Sequence, residues 1–231
     1  MRRYDIILMD MDDTLFDFRR SEREALRKSM LSRGLEPTAE RLTRYREISE
    51  ELWRGFDRGE YSSEWLTVER FARFARELGY EADPAAWNRE HAAAIGEECW
   101  PMPGAEELCR DLYSAGCRLY IATNGMGISQ RRRLALSPMA PLITDLFVSH
   151  EMGVRKPDLA YFQAVFQRLG QPDRSRVVML GDGLRSDILG ALRAGIDSVW
   201  FCPEILPGDD SIRPTYTVRT LAEAEAILLP R

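Results

Sequence analysis

The chain has few of the residues that bind zinc or cross-link a small secreted fold. Its 231 residues include two histidines, His91 and His150, and four cysteines. Cys99, Cys109, Cys117 and Cys202 form no CxxC pair, so no zinc site is expected. Such cysteines suit free thiols in a reducing compartment, and a cytoplasmic protein is the expectation. No apolar run approaches the roughly 20 residues of a membrane helix, so no membrane partner is expected. The N-terminal stretch shows neither an apolar core nor a small-residue cleavage site, and no secretory signal is expected there. Positive charge is not in excess. Lys and Arg number 32 against 37 Asp and Glu, a net charge of −5, which speaks against a broad basic face for a nucleic acid polymer. No internal repeat and no low-complexity tract occurs.

What is present is the composition of a globular protein, 45% hydrophobic and 30% charged, in a chain long enough for one large domain or a core with an insertion. Four short apolar runs read as buried parallel strands: DIILMD (5–10), RLYIAT (118–123), VVMLGD (177–182) and DSVWFC (197–202). DLFVSH (145–150) reads as an edge or connecting strand, and a short strand is expected near 216–218. Helical patterns separate them at 104–116, 156–170 and 186–195, with Pro157 suited to an early helical position. Alternating strands and helices predict an α/β fold, a Rossmann-like parallel sheet covered by helices on both faces. The long gap after the first strand has no convincing strand. Four amphipathic helical segments fill it, punctuated by Gly34, Gly59 and Gly79. The expected division is a core of 1–16 with 101–231 and an all-helical insertion of 17–100, with WPMPGA (100–105) as the return hinge.

In open α/β sheets, ligands bind outside the carboxyl ends of the strands. The first strand ends in Asp10-Met11-Asp12-Asp13-Thr14. Crowded carboxylates there cost energy unless something positive lies among them. The second strand ends in Thr123-Asn124-Gly125, another in Gly181-Asp182-Gly183 with Asp187 following, and Lys156 stands before Pro157. Asp10, Asp182 and Asp187 offer hard oxygen ligands of the kind Mg²⁺ prefers. A carboxylate can attack phosphorus, and Asp12 is placed to move a proton. Thr123 and Lys156 suit phosphoryl oxygens.

This ordered set resembles the haloacid dehalogenase superfamily: Asp-x-Asp-x-Thr after the first strand, a Thr closing the next, Lys-Pro, then an acidic pair. The resemblance implies that Asp10 is the nucleophile and Asp12 the general acid/base. It implies that Mg²⁺ is held by Asp10, the carbonyl of Asp12 and Asp182, with Asp187 supporting. Thr123 and Lys156 would bind the substrate, and the helical insertion would be a cap of the first type; Asn124 is a substrate-binding candidate that could as readily just fix the loop. The presence of Asp12 favours phosphate chemistry over dehalogenation. The strings TNG, RKPD and GDGLRSDILGALRAGIDSVWF are most similar to the bacterial pyrimidine 5′-nucleotidases, although Gly183 replaces their more usual small polar residue. The implied substrate is a small phosphorylated molecule, a nucleoside 5′-monophosphate first. Phosphoglycolate, a sugar phosphate, phosphomutase chemistry or, least favoured, a 2-haloacid are the alternatives.

Other features read as structural. The run Arg131-Arg132-Arg133 is expected to be a solvated helix face, and neither histidine is expected to be catalytic. Asp13 is as readily a turn residue as a functional one. Phe16, Phe18, Trp53 and Trp65 are candidates for stacking on a base, with core packing the commoner role.

Overall fold

The structure, a computed structural model, describes residues 3–204 and 211–229. The chain divides into two compact units, Met1–Phe18 with Cys99–Arg231, and Arg19–Glu98.

The first unit is built on β1 (Ile6–Met9), β2 (Arg118–Thr123), β3 (Ile143–Val148), β4 (Val177–Gly181), β5 (Asp197–Phe201) and β6 (Tyr216–Val218). They form one sheet in the order β3-β2-β1-β4-β5-β6, every pair parallel. This is the expected α/β, Rossmann-like class, with 143–148 as the edge strand. The register of β1 is Ile6 to Arg118 on one side and Val177 on the other, which brings the carboxyl ends of β1, β2 and β4 level. Alternation along the strands divides the apolar side chains between two faces.

The second unit holds helices α1 (Phe18–Leu31), α2 (Ala39–Asp57), α3 (Ser63–Glu77) and α4 (Pro84–Ile95). Thr38, Ser62 and Asp83 cap the last three, accepting hydrogen bonds from the first-turn N–H groups of Arg41, Trp65 and Ala85. Each cap satisfies a donor that the helix itself cannot. Leu26, Tyr45, Leu52, Leu66, Phe71, Phe74 and Trp87 form the core of this unit.

In the first unit, Ile7, Met9, Leu119, Ile121, Val178 and Leu180 pack with Leu108 and Leu112 of α5 (Ala105–Ser114). Ile6, Leu8, Ala122 and Met179 pack with Phe162 and Phe166 of α8 (Leu159–Arg168). Between them in the chain lie α6 (Gly127–Ala135) and α7 (Ser149–Met152); α9 (Leu189–Ala194) and α10 (Leu221–Leu228) follow. The outgoing and returning segments of this unit lie side by side. Phe16 bridges Pro101, Asp17 N donates to Trp100 O at 2.8 Å and Met102 N to Leu15 O at 2.9 Å.

Two helix starts differ from expectation. α8 begins at Leu159, so Pro157 lies outside it, after a cis peptide bond with Lys156. The residue before a proline avoids the helical region. Asn124 also occupies the Lys156 backbone, accepting from its N at 3.1 Å and donating to its O at 2.9 Å. The segment expected as a helix over 186–195 opens instead as a π turn, Leu184–Ile188, before α9. There Asp187 N and Ile188 N both donate to Gly183 O.

The helical unit also buries a histidine. His91 is fully enclosed between the rings of Tyr45 and Phe71, and its Nδ1 has no hydrogen-bond partner among the described residues. Burial first, then the charge of Arg70, holds its pKa well below the ordinary value. The unfolded chain therefore binds a proton that the folded chain refuses, and stability falls as pH drops below about 6.5. His91→Leu should flatten that part of the melting-temperature profile between pH 7 and pH 5. An unaltered slope would show that His91 does not set it.

Candidate active site

Asp10 follows β1, and its N still donates to Leu180 O at 2.8 Å. Met11 is buried in the core between Asp10 and Asp12, so both acids stand on an anchored segment. Asp13 has a left-handed backbone, φ 55, which Asp tolerates better than most residues. It accepts from Phe18 N at 3.0 Å, a turn-forming contact.

Lys156 is 2% exposed. Its ammonium donates to Asp10 Oδ1 at 2.5 Å, Asp187 Oδ1 at 2.6 Å and Ala122 O at 2.5 Å. All three of its donors are thus engaged. Asp187 Oδ2 accepts from Gly183 N at 3.0 Å. Thr14 Oγ1 donates to Asp182 Oδ1 at 3.2 Å and accepts from Asp182 N at 3.0 Å. Trp200 Nε1 donates to Asp182 O at 2.9 Å, fixing the same loop from β5. Position 181 must lack a side chain: a Cβ there would lie 2.3 Å from Asp187 Oδ2.

The charges do not balance. Oxygens of Asp10, Asp182 and Asp187 lie within 4.8 Å of one another, against one lysine. Burial pushes the Asp10 carboxyl up to about 7, with Lys156 opposing and Asp187 and Asp12 adding to the rise. Burial, then Asp10 and Asp187, also raises Asp182 well above the carboxylate range. Burial works against the Lys156 ammonium, but Asp10 and Asp187 outweigh it and hold its pKa above the ordinary value. Buried hard oxygens with unmet negative charge fit a divalent cation such as Mg²⁺.

Asp12 is held apart from this triad. Its Oδ1 pairs with Arg133 Nη2, and its Oδ2 accepts from Gln130 Nε2 at 2.7 Å. The same Gln130 nitrogen lies 3.1 Å from Thr123 Oγ1, which also accepts from Gly125 N at 3.0 Å. A Cβ at position 125 would lie 1.7 Å from Gln130 Nε2, so a side chain there would displace that amide. Sequence reading missed Gln130 and Arg133. Arg131 and Arg132 are exposed as expected, but Arg133 is 1% exposed and corrects the solvated-face reading. The available signal was spacing: residues three apart on a helix share a face, so 130 and 133 turn together and 131 and 132 away.

Residues 4–195 match the family model of the haloacid dehalogenase-like hydrolases. The chain belongs to this family. The hydrolase is 36% identical to YfnB of Bacillus subtilis over 99% of this chain and 97% of that protein. A magnesium-bound YfnB crystal structure superposes with a TM-score of 0.94, covering 98% and 99% of the two chains. The pyrimidine 5′-nucleotidase YjjG of Escherichia coli is 34% identical, covering 98% of each chain. The pyrimidine 5′-nucleotidase PynA of Streptococcus pneumoniae is 29% identical over 93% and 91%. Among the described residues, no helix of this hydrolase is long and apolar enough to cross a membrane.

Proposed function

We propose that this hydrolase is a Mg²⁺-dependent phosphomonoesterase acting on nucleoside 5′-monophosphates, pyrimidine nucleotides first. The observation that carries the phosphatase reading is a second carboxylate, Asp12, held two residues from the Lys156-paired Asp10. The nucleotide preference draws support from the names of YjjG and PynA.

Asp10, Asp182 and the carbonyl of Asp12 would hold Mg²⁺, with Asp187 behind them, and the ion would supply positive charge for the phosphoryl oxygens. Lys156 favours the ionised form of Asp10 against the effect of burial, and aims it. Thr123 Oγ1 accepts two hydrogen bonds, which leaves its own proton to donate to a phosphoryl oxygen. An Asp10 oxygen attacks phosphorus, the bond to the leaving oxygen breaks, and Asp12 gives that oxygen a proton. Water then attacks the aspartyl-phosphate while Asp12 takes its proton back, releasing inorganic phosphate and the Asp10 carboxylate. Residues 17–100 would act as a cap that selects the substrate.

The test is phosphate release across nucleoside monophosphates, phosphoglycolate and sugar phosphates with Mg²⁺. Pyrimidine 5′-monophosphates are expected to give the highest kcat/KM, and EDTA to silence the enzyme. Preference for another phosphomonoester would replace the nucleotide reading, and halide release from 2-haloacids without phosphatase activity would replace the whole.

A further inference from the structure

Resting on that reading of Asp12, we propose that Arg133 and Gln130 of α6 are positioning residues that hold the acid/base carboxylate in working register with Thr123. Each oxygen of Asp12 has its own partner, Arg133 on Oδ1 and Gln130 on Oδ2. A carboxylate held at both oxygens has lost rotation about its terminal bond, whereas one hydrogen bond would leave it free to turn.

The guanidinium is itself oriented. Its centre lies 5.5 Å from the ring centroids of both Phe16 and Phe18, and cations favour such aromatic faces. Its Nε and Nη1 are buried with no hydrogen-bond partner among the described residues. A buried charged donor without a partner costs stability. An arginine retained solely for the fold would be expected to spread its donors over several acceptors. Among the described residues, this one directs its hydrogen bonding at Asp12. The cost is understandable where a carboxylate must be held in one place.

Gln130 extends the arrangement. Through one nitrogen it touches both Asp12 and Thr123, so the proton-transfer group and the hydroxyl closing β2 are set by one side chain. Phe16 and Phe18, candidates for stacking on a base, here serve Arg133.

The test separates acid/base positioning from packing. With Mg²⁺ and 4-nitrophenyl phosphate, the leaving phenolate needs little protonation, so transfer to Asp10 should survive in Arg133→Met while hydrolysis of the intermediate slows. Stopped-flow traces should show a burst near one nitrophenolate per enzyme, then a steady rate about 100-fold below wild type, with KM falling in step so that kcat/KM stays within about threefold of wild type. Gln130→Leu should lose about tenfold in the same pattern, Arg133→Lys should recover much of the loss, and the exposed Arg132→Met should match wild type. Burst and steady rate falling together with the melting temperature, without rescue by lysine, would overturn the proposal. A crystal structure of Arg133→Met gives a reading that needs no turnover. Asp12 rotated from its wild-type position supports the positioning role, and Asp12 unmoved overturns it. Absence of phosphatase activity in the wild type would count against the proposed reaction, and the crystallographic comparison would still decide what Arg133 does to Asp12.

Discussion

Asp10→Asn is expected to abolish turnover while leaving the protein at least as stable as the wild type in EDTA. An amide oxygen is a poor nucleophile toward phosphorus, and removal of a nucleophile in other hydrolases costs about 10⁴-fold or more in kcat. The stability expectation follows from the charge imbalance. Oxygens of three acids lie within 4.8 Å of one another, and one lysine pairs with two of them. The Asp10 carboxyl is pushed up to about 7, chiefly by burial. A carboxyl whose folded pKa lies above its unfolded value destabilises the ionised protein, and increasingly so as pH rises through that interval. The amide removes this charge while Lys156 keeps Asp187 and Ala122 O. The melting temperature at pH 8 without metal should therefore not fall. Mg²⁺ should raise the wild-type value and raise that of Asp10→Asn less. Retained phosphate release would refute Asp10 as nucleophile, and a large loss of stability in EDTA would refute the charge argument.

Lys156→Met should have the second largest effect, reducing both activity and stability. Methionine fills much of the same volume but leaves Asp10 Oδ1, Asp187 Oδ1 and Ala122 O without their shared donor. Breaking a buried ion pair from one side costs roughly 3–5 kcal/mol. Without the lysine that opposes it, burial would raise the Asp10 carboxyl further, and Asp10 and Asp187 would repel each other unscreened. Their protonation relieves the penalty, so the loss relative to wild type should be larger at pH 8 than at pH 5. Chemical denaturation at both pH values in EDTA measures this directly. An equal loss at both would mean that packing, not charge, is what Lys156 contributes. Phosphate release should fall by about 10³-fold or more, since Asp10 loses its aim and the site loses a fixed positive charge.

Legibility differed between the parts of the chain for physical reasons. β1 and β4 announce themselves because a strand buried on both faces must be apolar at every position, and IILM and VVMLG are. The helices of 19–98 were readable from their apolar stripes and the glycines between them, whereas their Thr38, Ser62 and Asp83 caps came from the structure. The start of α8 was not. Pro157 suits a first helical turn in isolation, but the Lys156 backbone is engaged by Asn124, 32 residues away. The π turn at Leu184–Ile188 depends likewise on a doubly accepting Gly183 carbonyl, which no periodicity reveals.

The sequence by itself determined the α/β class, the strand ends and the acidic, hydroxyl and lysine groups gathered there, because strand burial and motif spacing are local properties of the chain. Tertiary structure alone decided which partner each acid received. Asp10 and Asp187 share Lys156, Asp182 is held by Thr14, and Asp12 turns to Gln130 and Arg133. Arg131, Arg132 and Arg133 are the same residue type in consecutive positions. Only the packing of α6 against the Asp12 segment sets one of them in the interior and leaves the other two in water.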